Sequence, residues 1–182
     1  MTRPVFEEQV EIRGEGLVLR DWREDDVPLM PALFDDPDIA YWTPLHSPFD
    51  EEAASNRLKK SRENRAEGKA LQLAITLDGD DAPLGEVLLM RTGHPEGVLE
   101  IGYAVGPAHR GQGLAARAVR VMTAYAFAEL GADQVVLELE AENAASVGVA
   151  RATGFRLLDV PLIPGTEKGR SFELQTWGQD RP

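Results

Sequence analysis

A mixed α/β fold is predicted by three features of this sequence. Leu71, Leu73, Ile75 and Leu77 alternate with Gln72, Ala74 and Thr76, and they open a run of three strands joined by short turns. A glycine-rich loop, Arg110-Gly111-Gln112-Gly113, separates the third strand from a long helix with an apolar stripe. A further strand and a short helix follow. The centre therefore reads strand–loop–helix–strand–helix, and the short turns before it favour an antiparallel meander.

In chain order, Leu17–Trp22 reads as a first strand. Asp25 or Asp26 caps a helix through Val27, Leu29, Met30, Leu33 and Phe34, within which Pro31 is a potential break. Asp35-Asp36-Pro37-Asp38 ends it, and Tyr41-Trp42-Thr43-Pro44 reads as a loop. Asp50 caps a second helix to about Arg65, with Ala53, Ala54 and Leu58 as a modest stripe and Lys59-Lys60-Ser61-Arg62 as a solvated face. The alternating run from Leu71 predicts a half-buried strand. Asp78–Asp81 is a turn, Leu84–Met90 a strand, and Thr92–Gly97 a second turn. Val98–Val105 then places Leu99, Ile101, Tyr103 and Val105 on one face. After the glycine loop, Leu114, Ala115, Ala118, Val119, Met122, Ala126, Phe127 and Leu130 fall on one helical stripe, and Gly131 stands at its C-cap. Val135–Glu140 is a strand. Asn143 caps a short helix through Val147, Val149 and Ala150, ending near Gly154. Phe155–Val160 and Ser171–Trp177 are the expected last strands.

Bulk composition narrows the function. The chain has 182 residues, with 19 Lys and Arg against 31 Asp and Glu, for a net charge of −12. That balance disfavours nucleic acid and favours a cationic small molecule or basic peptide. With no cysteine, disulfides, thiolate metal sites and cysteine nucleophiles are excluded. Met1–Glu8 has no apolar leader core, and no run approaches the length of a membrane span. The expectation is a soluble cytoplasmic protein, one domain over residues 1–182. His46, His94 and His109 stand far apart in the chain without ligand spacing, so no metal site is expected.

The loop is the main chemical signal. Glycines let backbone N–H groups approach an anion closely, the helix start adds more donors and a positive dipole end, and Arg110 places a guanidinium beside them. A phosphate cradle is the reading. Gly111-Gln112-Gly113-Leu114-Ala115-Ala116 also fits the dinucleotide fingerprint G-x-G-x-x-A. Against it, Gly106–Arg110 intervene between strand and first glycine, three strands come before, and too little chain follows for a substrate domain. A P-loop is excluded because no Gly-Lys-Ser/Thr occurs.

Arg110-x-x-Gly113-x-Ala115 after a Glu-Ile-Gly-Tyr strand, the helix ending Ala126-Phe127, Asn143-x-x-Ser146 and Gly154-Phe155 together resemble the GCN5-related N-acetyltransferase (GNAT) superfamily. More narrowly they resemble its branch of ribosomal-protein N-terminal acetyltransferases. The match covers about residues 84–160, and Leu17-Val18-Leu19-Arg20 with Glu24-Asp25-Asp26 resembles that branch's opening strand and helix start. The resemblance implies a mixed, mostly antiparallel central sheet of about seven strands flanked by about four helices. It also implies transfer of an acetyl group from acetyl-coenzyme A to a primary amine, a protein N-terminus or a small molecule, by direct attack in a ternary complex.

Carried over from the family, the backbone amides of Arg110, Gly111, Gln112, Gly113, Leu114 and Ala115 hold the coenzyme diphosphate, and Tyr103, Ala104 and Val105 hold the pantetheine arm. The Val105 amide is the candidate oxyanion donor, a role compatible with an ordinary core valine. Asn143 matches the asparagine that contacts the coenzyme arm, and it is equally a helix N-cap. Ser146 matches a serine near the sulfur that could protonate the departing thiolate, or it is simply a small polar residue of the first turn. Many members carry a tyrosine four residues before Gly-Phe as general acid; this chain has Ala150, which favours Ser146 or water. A substrate ammonium must lose a proton before attack. Among Glu100, Glu138, Glu140 and Glu167, the candidates for that base are Glu100 and Glu167. Tyr41 and Trp42 either line the acceptor pocket or belong to the core. A homodimer is compatible with the sequence. The alternatives are a dinucleotide-binding protein using Gly111, Gly113 and Ala116, and a non-catalytic coenzyme-binding regulator of the same fold.

Overall fold

The computed structural model describes residues 6–91 and 93–182. Met1–Val5 of the N-terminal segment and Thr92 of the expected second turn lie outside them. Among the described residues nine strands form one sheet: β1 (Glu11–Gly14), β2 (Leu17–Asp21), β3 (Ala70–Leu77), β4 (Asp80–Met90), β5 (Val98–Val105), β6 (Gln134–Leu139), β7 (Arg156–Leu157), β8 (Ile163–Glu167) and β9 (Arg170–Asp180). The helices are α1 (Met30–Phe34), α2 (Pro37–Trp42), α3 (Glu51–Ala66), α4 (Leu114–Ala128) and α5 (Ala144–Ala152), with 3-10 turns at Glu24–Leu29 and Pro107–His109. Strand order is β1-β2-β3-β4-β5-β6-β9-β7, with β8 on β9. Every neighbouring pair is antiparallel except β5–β6. The mixed, mostly antiparallel α+β architecture is the expected one, with more strands than expected.

Period-2 alternation divides the core. Leu19, Leu71, Leu73, Ile75, Leu89 and Ile101 face α4, whose Leu114, Ala118, Val119 and Met122 they bury. Ala74 and Ala104 point the other way, into a second core built from Trp22, Met30, Phe34, Phe49 and Leu58 of the α1–α3 layer. β3 is therefore buried on both faces, with even Thr76 and Gln72 covered. This differs from the half-buried strand the alternation predicts, because period 2 marks the two faces but does not say whether helices cover both.

Other boundaries moved for local reasons. Asp26 is buried in a two-point pair with Arg20 and accepts from the Arg23 N–H, so Glu24–Leu29 winds as 3-10. Pro31 sits in the first turn of α1, where a missing N–H costs nothing, and does not break the helix. Tyr41 and Trp42 close a helix rather than lying in a loop: Asp36 caps α2 through the Ile39 N–H, with Pro37 at its first position. Ser61 is buried although its neighbours are solvated. α4 stops at Ala128 with Glu129 as C-cap, and Gly131 takes its left-handed turn two residues later. The expected Phe155–Val160 strand shrinks to β7, while β1 and β8 were not anticipated. Neither contains a buried residue, so neither shows the apolar alternation that reveals a strand.

Gly85 sets the spacing of β4 and β5. A Cβ there would lie 2.4 Å from the Ala104 carbonyl oxygen and 2.9 Å from the Val105 Cα. We expect Gly85→Ala to destabilise the protein by about 1–3 kcal/mol, because backbone must yield; a urea midpoint equal to wild type would contradict this close approach.

Candidate active site

The site is built where the sheet splits. β5 and β6 pair only at Val98–Glu100 with Gln134–Val136. Beyond Glu100 the two strands part: Gly102–Val105 pairs with β4 on one side, and Leu137–Leu139 pairs with β9 on the other. The β6-side edge of Ile101–Val105 thus faces a gap rather than a strand partner. Tyr103, Ala104 and Val105 lie on this stretch, which reaches the glycine loop through the 3-10 turn Pro107–His109.

That loop is an open cradle. Gly111 and Gly113 have φ of 78° and 70°, the left-handed region that favours glycine. Gly113 is the N-cap of α4 and has no side-chain cap. Among the described residues, the amides of Gly111 through Ala116 donate to no backbone carbonyl, and Arg117 is the first to find one, on Gly113 at 3.0 Å. A Cβ on Gly111 would meet nothing within 4 Å. Free N–H groups at an exposed helix start are donors that an anion can use. The Arg110 guanidinium is already engaged, 2.7 Å from Asp36, so this residue offers the cradle its backbone and ties the loop to α2. Burial pushes the Asp36 carboxyl up, but Arg110 and the Ile39 N–H outweigh it and hold the carboxyl below its usual range. The sheet around the loop is antiparallel apart from β5–β6, unlike the doubly wound parallel sheet that the dinucleotide fingerprint serves.

On the α4 side of the gap, Asn143 caps α5 by accepting from the Ser146 N–H at 3.2 Å. The capping oxygen is used and the side-chain NH₂ is not part of that bond. The phenol of Tyr103 lies beside Ser146, and burial raises its pKa while Ser146 opposes the rise. The contact is not a well-formed hydrogen bond, and the Tyr103 Oη is buried without one. Ala150 is fully buried in the α4-side core and offers no polar atom.

On the opposite face stand the carboxylates. Glu100 and Val136 are directly paired, so Glu138, two residues on, shares the Glu100 face. His94, from the β4–β5 turn, enters between them, its Nε2 3.0 Å from Glu100 Oε2 and 3.5 Å from Glu138 Oε1. The three side chains are 12%, 19% and 14% exposed, respectively. Burial raises the Glu100 pKa, His94 opposes the rise and Glu138 adds to it. A carboxyl so placed holds its proton more tightly than a solvated glutamate and is a better base near neutral pH. Two more carboxylates lie nearby on this face, each with a cation: Glu86 with Arg57 and Gln72, and Glu140 with Arg170 at 2.6 Å. Spacing along the chain hides the His94 contact, because its partners stand 6 and 44 residues away.

Glu167 lies in a strand. It ends β8 at the tip of the β8–β9 hairpin, opposite Arg170. Its neighbour Lys168 donates to the carbonyls of Ala40 at 2.5 Å, Thr43 at 2.8 Å and Leu45. Arg170 lies 4.1 Å from the Tyr41 ring centroid and also donates to the Tyr41 carbonyl. The hairpin is thereby fastened to the end of α2. Tyr41 is half exposed and packs edge-on against Trp42, so the pair is not part of the core. A cavity of about 400 Å³ opens between the α2–α3 connection, α3 and the sheet, lined by Leu45, Phe49, Arg57, Gln72 and Leu88 among others. A second cavity, between β1 and α4, is lined by none of the residues of the split. Sequence reading set His94 aside for want of ligand spacing and did not single out Lys168 or Arg170, which carry no local motif.

Comparison with known proteins bears on the family and the fold. The sequence profile of the acetyltransferase (GNAT) domain matches residues 16–156. An uncharacterized N-acetyltransferase p20 of Bacillus licheniformis is 25% identical over 160 residues, 88% of this chain and 90% of that protein. A probable GNAT-family acetyltransferase of Chromobacterium violaceum superposes with a TM-score of 0.81 at 24% identity, over 100% of this chain and 90% of the other. RimJ of Mycobacterium smegmatis, solved with a coenzyme A disulfide, superposes at 0.78 with 20% identity, over 94% of this chain and 86% of that one.

Proposed function

The chain belongs to the GNAT acetyltransferase family, acetyl-coenzyme A-dependent N-acetyltransferases, and from that premise we propose that it acetylates a cationic primary amine by direct attack within a ternary complex. One observation carries the proposal: the open edge of β5 leads, through the short turn Gly106–Arg110, to the unpaired amides of Gly111–Ala116. This chain offers that combination of anion cradle and extended hydrogen-bonding edge to a diphosphate followed by an amide-bearing arm.

Acetyl-coenzyme A supplies the activated acetyl group. The cradle amides from Arg110 to Ala115 grip its diphosphate, and the edge from Tyr103 to Val105, with the Asn143 side-chain NH₂, holds the arm. The Val105 N–H is assigned to the negative charge that develops on the carbonyl oxygen. Glu100, with His94 and Glu138 beside it, draws the acceptor ammonium and takes its proton. Glu100 stands ahead of Glu167 because it is desolvated and faces the split, whereas Glu167 sits at a hairpin tip. Ser146, on the other face, returns a proton to the leaving sulfur. With no cysteine in the chain, a cysteinyl intermediate has no place in this scheme. The acceptor enters beside Tyr41 and Trp42, a peptide N-terminus or a small cation, drawn by the carboxylates and the acidic chain as a whole.

Calorimetry with acetyl-coenzyme A and with NAD, followed by thiol release over a panel of primary amines, tests this reading. It expects saturable binding of the first alone and turnover with cationic amines. Tight NAD binding without coenzyme binding would contradict it; coenzyme binding with no turnover on any amine would favour a regulatory module. Ser146→Ala should lower kcat by about a hundredfold while coenzyme affinity holds, and an unchanged rate across pH would remove Ser146 from the mechanism.

A further inference from the structure

We propose that His94, Glu100 and Glu138 form a binding site for one zinc-like divalent cation, placed so that the metal and the acceptor ammonium exclude each other. Three protein ligands with one open position describe an accessible zinc site. Zinc–ligand bonds of about 2.0–2.2 Å in a tetrahedron require ligand atoms about 3.3–3.6 Å apart. His94 Nε2 stands 3.0 Å from Glu100 and 3.5 Å from Glu138, and all three ligand atoms lie within 4.8 Å of one another. Small rotamer adjustments therefore bring them onto one metal.

Charge points the same way. Glu86 and Glu140 each have an arginine, but Glu100 and Glu138 share a single imidazole. Two carboxylates around one imidazole form a donor set that a divalent cation would suit. Glu100 projects from the last position at which β5 and β6 pair, Glu138 from two residues further along β6, where β9 supports it, and His94 is mostly buried beside both. An imidazole with two carboxylates suits zinc, cobalt and related first-row ions, whereas magnesium and calcium prefer all-oxygen shells. The metal would occupy Glu100. Zinc should therefore inhibit acetyl transfer competitively with the amine, a consequence that rests on the proposed function above; metal binding itself does not depend on it.

Chelator-treated full-length protein titrated with zinc chloride in a calorimeter tests the site. One equivalent should bind, and His94→Ala and Glu138→Gln, checked for native circular dichroism, should each weaken binding by at least about tenfold. Cobalt chloride gives a reading that needs no variant: an intense visible band marks four-coordinate cobalt. Magnesium and calcium chlorides should give no saturable heat. The absence of saturable zinc binding, a pale octahedral cobalt spectrum, equal binding of magnesium, or folded variants that bind zinc like wild type would each overturn the site. Zinc binding without any acetyl transfer would refute the proposed reaction and leave the metal site standing.

Discussion

Gly113→Trp abolishes coenzyme A binding and leaves the protein folded. Gly113 is the N-cap of α4 at φ 70°, and a Cβ there would meet only the Arg117 Cδ, at 3.9 Å. An indole therefore finds room, and the room it takes is where the free amides of Gly111–Ala116 converge. Left-handed backbone at a non-glycine residue costs about 1–2 kcal/mol, well within a usual folding stability of about 5–15 kcal/mol. The expected result is native circular dichroism, a small loss of stability, and no coenzyme heat in calorimetry. Wild-type affinity in the folded variant would refute the cradle.

Glu100→Gln lowers kcat by about 10²–10⁴-fold, the range for losing a positioned acid or base. The amide keeps the shape and removes the proton acceptor between His94 and Glu138. Coenzyme affinity should stay near wild type, since Glu100 projects from the face opposite Tyr103 and Val105. The same substitution at Glu167 should cost far less, because that residue ends a hairpin outside the split. Steady-state kinetics with saturating acetyl-coenzyme A separates the two. A full rate in Glu100→Gln together with a collapsed rate in Glu167→Gln would move the base to the hairpin.

What was legible in the sequence follows from the range of each signal. The meander β3–β4–β5, the glycine loop, the start of α4 and the Asn143 cap are local patterns, and each was legible from its own segment. The α2 helix was hidden because Asp36-Pro37 serves two ends at once: it stops α1 and starts the next helix through the Asp36 cap. β8 was hidden because none of its residues is buried and its sequence shows no apolar alternation. The split between β5 and β6 is a property of register, and register is not written in either strand alone. For the same reason Glu138 could not be matched to Glu100, or His94 to either, until the parallel pair Glu100–Val136 was known. Residues that bind through the backbone could be proposed from motif. Side chains such as Glu100 and Ser146 could be named one by one, but not the contacts that join them to distant segments.

Residue-resolved amide NMR during a coenzyme A titration tests the central claim most directly. The account predicts that the largest proton and nitrogen shifts fall on Gly111, Gln112, Gly113 and the first amides of α4, followed by those of Tyr103–Val105. Saturable binding that leaves those resonances unmoved, with the shifts gathered elsewhere on the sheet, would contradict it.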